Sequence, residues 1–155
     1  MRFESVMLVV EDLERSKTFY REVLGLRVDM DLGANVTLTG GVALQTRESW
    51  EGFIHAAPEE IAFGGRNMEL YFEEEEFDAF LDRLAGRRDL FYVHPVQEHA
   101  WGQRVVRFYD PDRHIIEVGE PMGQVCRRFL DSGMTPEETA KRMDVPVELV
   151  RKSVC

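Results

Sequence analysis

The sequence predicts an α+β fold: two β-α-β-β-β modules forming an open curved sheet around a cleft, followed by a C-terminal helical extension. Three observations carry this expectation. The layout of Glu4 to Leu13, an alternating apolar strand, an acidic step and a helix-period stretch, returns at Asn67 to Asp78, about 64 positions later. Each copy then closes in a hairpin, Val36 to Gln45 in the first and Arg104 to Val118 in the second. Hydrophobic residues make up 44 % of 155 residues, enough for the core of one ordinary domain with a short appendage.

Val6, Leu8 and Val10 alternate with Ser5, Met7 and Val9, so the first strand has one face for a helix and one for the cleft. Asp12 or Ser16 can cap the helix that follows, where Phe19, Tyr20, Val23 and Leu24 form an apolar stripe and Gly25 marks the stop. Strands are expected at Leu26 to Asp31, Asn35 to Thr39 and Val42 to Thr46, with Gly40-Gly41 making the tight turn between the last two. Residues 48–65 have no clean period and read as a linker between modules 1–47 and 66–121, with Trp50, Phe53 and Phe63 expected over the cleft or on a partner. The second module reads as a strand at Met68–Phe72, a helix at Phe77–Leu84, a strand at Phe91–His94 and a hairpin around Asp110-Pro111-Asp112-Arg113. The run Glu73–Glu76 precedes that helix, where negative charge meets the positive end of the helix dipole. From Met122 the character changes: one helix to Gly133, a second opened by the capping box Thr135-Pro136-Glu137-Glu138 and running through Met143, and a third from Glu148 to Lys152.

Charge narrows the partners. Residues 1–121 carry 13 basic and 24 acidic side chains, a balance of −11, so this body repels phosphates; residues 122–155 balance at +1. No apolar run approaches the ~18 residues of a membrane span, and no signal peptide precedes the first strand. Cys126 and Cys155 form no disulfide framework, which fits a reducing cytoplasm. A small-molecule ligand is therefore the expected partner, with neither membrane nor nucleic acid expected.

Val9-Val10-Glu11-Asp12-Leu13-Glu14-Arg15-Ser16-Lys17-Thr18-Phe19-Tyr20 with Val23-Leu24-Gly25-Leu26, Trp101-Gly102-Gln103-Arg104, and Asp110-Pro111-Asp112-Arg113-His114-Ile115-Ile116-Glu117 are distinctive together. With them, residues 1–121 resemble the vicinal-oxygen-chelate superfamily of glyoxalase, bleomycin resistance protein and extradiol dioxygenase. The resemblance implies paired modules, usually a homodimer, and one divalent metal ion in the enzymes. Its ligand positions correspond here to Ser5, Gln45, Glu69 and Glu117. Histidine is usual at the first of these and frequent at the third, and neither is histidine in this chain. Serine is a poor ligand, so a metal would rest on Gln45, Glu69 and Glu117, an oxygen set suited to hard ions.

Strand alternation places Ser5, Met7, Gln45, Glu69, Tyr71, Arg107 and Glu117 on the cleft wall. A hairpin symmetric about Asp112 sets Arg107 opposite Glu117, either as a structural ion pair or as an oriented carboxylate. A glutamate so paired is a weak base at neutral pH. Trp101 and Arg104 flank the entry to the seventh strand and suit a planar or anionic molecule, or simply close a loop. His94 leaves a strand and reads as packing, His114 as a turn residue, and His99 as a residue overhanging the cleft mouth.

Three functions remain open. One is a lyase or isomerase moving a proton on a small oxygenated or electrophilic metabolite, led by Glu69 or Glu117. Another is a non-catalytic binder conferring resistance. The third is a ligand-responsive regulator, since the segment from Met134 to Arg151 is similar to a helix-turn-helix.

Overall fold

The computed structural model describes residues 1–152. It is mixed α+β with two four-stranded sheets of β-α-β-β-β order and C-terminal helices. The first unit comprises residues 1–68 and 110–114 and the second residues 69–109 and 115 onward. The expected linker thus belongs with the first module and the C-terminal helices with the second.

In the first unit, β1 (Val6–Val10), β2 (Val28–Asp31), β3 (Asn35–Leu38) and β4 (Val42–Thr46) form a sheet of order β1-β4-β3-β2, with β1 and β4 parallel. Leu8, Val10, Val36, Leu38 and Leu44 are almost wholly buried. Helix α1 (Leu13–Leu24) adds Phe19, Tyr20 and Val23 to the core. Asp12 caps it by accepting from the Arg15 amide at 2.9 Å, and Gly25 ends it in the left-handed region at φ 69°. Ser16 does not cap the helix; its hydroxyl donates to Asp112 at 3.3 Å.

The expected linker is not structureless. It contains α2 (Arg47–Ile54) and a 3-10 turn at Pro58–Glu60. An eight-residue helix spans barely two turns, too few to display a period. Ser49 stabilises its start by donating to the Thr46 carbonyl at 2.9 Å. Phe53 remains two-thirds exposed, whereas Phe63 lies edge-on to His114.

The turn 110–114 is held by hydrogen bonds in the same unit. Asp110 accepts from Tyr20 at 2.9 Å and from the amides of Asp112 and His114, with the His114 ring 2.8 Å away; Arg15 meets Asp112 at 2.7 Å. Burial, together with the Asp110 charge, pushes the Tyr20 hydroxyl pKa well above its ordinary value.

In the second unit, β5 (Glu69–Glu73), β6 (Phe91–Glu98), β7 (Arg104–Tyr109) and β8 (Ile115–Gly119) form a sheet of order β5-β8-β7-β6. Leu70, Val106, Phe108, Ile116 and Val118 are buried on the helix side, with Phe80 of α3 (Phe77–Ala85) against Phe108. The other face carries the polar side chains Glu69, Tyr71, Glu73, Arg107 and Glu117 alongside apolar Val105 and Ile115. β6 runs four residues beyond the expected end at His94, through Pro95, which falls within the register shift between His94 and Gln97. Proline supplies no ladder donor, but an edge strand with such irregularities tolerates it.

Three helices complete this unit: α4 (Met122–Asp131), α5 (Pro136–Met143) and α6 (Val147–Lys152). Val125, Cys126, Phe129, Ala140, Met143 and Val150 bury one another. Gly102 shows why glycine stands there. Its φ is +90°, and a Cβ would lie 2.2 Å from the Phe129 ring. Arg128 donates to the Gly102 carbonyl at 2.6 Å and meets Glu120 at 3.1 Å. Cys155 lies outside the described residues.

Candidate functional site

The polar face of the second sheet gathers four of the anticipated residues. Tyr71 pairs in register with Glu117, and Glu117 with Arg107, so one row crosses β5, β8 and β7; Glu69 lies on the same face of β5, two residues before Tyr71. The Arg107 guanidinium holds both carboxylates. Its Nε donates to Glu69 at 2.9 Å, and its Nη2 forms an ion pair with Glu117. Glu117 is buried, and its Oε2 accepts no aligned hydrogen bond beyond that ion pair.

A residue that sequence reasoning assigned to packing joins them. His94, in register with Arg107, presents Nε2 at 3.3 Å from Arg107 Nη1. The Pro95 carbonyl can only accept, so the 2.7 Å contact makes His94 Nδ1 the protonated nitrogen and leaves Nε2 as an acceptor. The register shift between Tyr92 and His94, which no local pattern announces, gives it this position.

Beside this cluster a chain of side chains runs across the sheet. Trp101 donates to Gln103 at 3.2 Å, Gln103 to Tyr71 at 2.9 Å, and Tyr71 to Glu73 at 3.0 Å. Burial, then the hydrogen bond to Glu73, raises the Tyr71 pKa against the opposing effect of Gln103. His99 stacks on Trp101 with ring centroids 4.2 Å apart. Burial lowers its pKa, reinforced by the positive charge of Arg107.

Arg104 is on the side of β7 opposite to Arg107, over the Phe77 ring and paired with Asp78 and Glu120 at 2.8 Å each. Alternation explains this, since 104 and 107 differ by an odd number. Ser5, Met7 and Gln45 belong to the first unit. Ser5 precedes β1 and is exposed, Met7 is half-exposed, and Gln45 is buried. The Gln45 carbonyl oxygen accepts from Asn35 at 2.8 Å, and its amide nitrogen donates to Ser49.

These residues do not fit a metal ion as arranged. Both glutamates are engaged by the Arg107 guanidinium, and among the described residues no three His, Cys, Asp or Glu side chains converge as ligands.

The glyoxalase-like domain family matches residues 3–123. The chain belongs to that family. This glyoxalase-like domain is similar to a crystal structure of a protein of unknown function from Agrobacterium tumefaciens, with 43 % identity, 78 % of this chain and 94 % of that one covered, and a TM-score of 0.70. A lactoylglutathione lyase from the same organism shares 25 % identity over 78 % of this chain and 94 % of that one, with a TM-score of 0.61. The uncharacterized protein YraH of Bacillus subtilis is 24 % identical over 76 % of this chain and 97 % of its own length. The family match stops at residue 123, so α5 and α6 lie beyond the glyoxalase-like domain.

Proposed function

We propose that this glyoxalase-like protein binds a small organic molecule without a metal ion, in the manner of a resistance protein and not of a lyase. One observation carries the reading: Arg107 pairs with both Glu69 and Glu117. A carboxylate already committed to a guanidinium is not free to ligate a metal or to meet a substrate. The polar face carries Glu69, Glu73 and Glu117 against Arg107 alone, an excess of negative charge. Tyr71 and Trp101 are 47 % and 37 % exposed there, enough to offer ring surface. An acidic face with exposed aromatic rings suits a neutral or positively charged aromatic or amine-bearing molecule better than an anion.

The test combines native mass spectrometry and metal analysis of protein purified without chelator with a thermal-shift screen of matched cationic and anionic aromatics. The expected outcome is a metal-free protein stabilised by cationic members and indifferent to anionic ones. A ligand at a hundredfold its Kd would add about 2.7 kcal/mol. Stoichiometric metal, or preference for anions, would refute the proposal.

A second reading has its own observation. Glu117 Oε2 is buried without an aligned hydrogen bond, so a substrate that drew Arg107 aside would meet a desolvated carboxylate able to take a proton. Isotope exchange at a carbon acid, abolished by Glu117→Gln, would favour this lyase or isomerase chemistry.

A further inference from the structure

Arg107 presents three nitrogens, and each meets an acceptor from a different strand. Nε reaches Glu69 of β5 at 2.9 Å, Nη2 pairs with Glu117 of β8, and Nη1 lies 3.3 Å from His94 of β6. Two features make this a shaped receptor. The register shifts on either side of His94 re-aim its ring, as bulges do. The hydrogen bond from Nδ1 to Pro95 then fixes the tautomer whose Nε2 accepts. Hydrogen-bond acceptors at Nε and Nη1 with a carboxylate paired at Nη2 suit a guanidinium. A metal ion would need its ligands converging within about 2.0–2.6 Å of one point.

We propose that Glu69, Glu117 and His94 form a guanidinium receptor filled by Arg107. Arg107 is then the positioning residue that holds the three side chains in place, and the receptor selects a planar organic cation over a divalent metal. The inference rests on the metal-independent reading above and explains it: the chain supplies its own cation. Removing the side chain vacates the receptor for a free guanidinium compound.

The test uses full-length Arg107→Ala with ethylguanidinium, ethylammonium, Mn2+ or Zn2+. Melting temperature and the imidazole nitrogen chemical shifts of His94 are followed. Arg107→Ala should melt about 5 °C or more below the wild type, because two carboxylates lose their partner. Millimolar ethylguanidinium should recover at least half of that loss and return the His94 shifts to wild-type values, whereas ethylammonium at equal concentration should do neither. Equal rescue by both amines, no rescue, or stronger rescue by either metal ion would overturn the inference. Arg107→Lys keeps the charge without the fork and serves should the alanine variant not fold. It should melt below the wild type and show shifted His94 resonances, and wild-type behaviour would also overturn the inference. Metal in the wild type would defeat both proposals, whereas a metal-free wild type without rescue defeats this one alone.

Discussion

Glu120 shows how one side chain can settle local electrostatics. It is buried directly after β8, where its carboxylate accepts from the Arg104 amide at 3.0 Å and pairs with the guanidinium groups of Arg104 and Arg128. Burial pushes its pKa up, but the hydrogen bonds and charges of Arg104, helped by Arg128, outweigh burial and leave it below the ordinary glutamate value of 4.5. A carboxyl whose pKa is depressed by folding stabilises the native state above its unfolded value and loses that contribution as pH falls through the folded one. Glu120→Gln should therefore cost about 1–3 kcal/mol at pH 7, held to that range because both arginines are partly exposed. The difference from wild type should shrink as pH drops below 4.5 in paired urea titrations. A difference unchanged between pH 7 and pH 3 would show that packing, not charge, sets the cost.

At the scale of elements, α4 is attached to the β6–β7 connection through one close approach. Phe129 rests against Gly102, with Arg128 bonded to the Gly102 carbonyl. Phe129→Ala should cost about 3 kcal/mol, or roughly 6–12 °C in melting temperature for a chain of this size. Gly102→Ala should destabilise by a similar mechanism, since its Cβ would meet that ring. The two changes should be non-additive: once Phe129 is alanine, Gly102→Ala retains only its backbone strain at φ +90°. Additive melting shifts in the double variant would argue against the contact. Deleting everything after Pro121 should likewise lower the melting temperature, because Val125, Cys126 and Phe129 are buried within α4. The capping box at Thr135 and the end at Met143 were both legible in the sequence, since caps are local chemistry. Helix α2 was not legible, because too few turns exist to reveal a period.

Across the whole molecule, net charge is −10, and the helix-turn-helix-like segment adds little to oppose it. Helix α6 has only six residues, and its basic Arg151 is paired with Glu137 at 2.6 Å. Duplex DNA should therefore show no sequence-specific binding at physiological salt in fluorescence anisotropy. Specific, salt-sensitive binding would bring the regulator reading forward and place its function in the C-terminal helices.

Periodicity and turn chemistry alone determined the two β-α-β-β-β modules, the stop at Gly25 and the three terminal helices, because each is decided within a few neighbouring residues, while the choice of Asp12 over Ser16 as cap was left to the structure. The Arg107–Glu117 pair was legible for the same reason, as a hairpin turn fixes its own register. Tertiary structure decided the rest of the cluster. Glu69 reaches Arg107 only because β5 lies parallel to β8, a pairing such as Glu69 with Ile115 that joins distant parts of the chain and that no local pattern encodes. His94 reaches it only because the edge strand shifts register between Tyr92 and His94, which sets His94 instead of Val93 opposite Arg107. The chemical types were written in the chain, but which carboxylates shared a cation depended on long-range strand order, and that is set by burial of the opposite, apolar face.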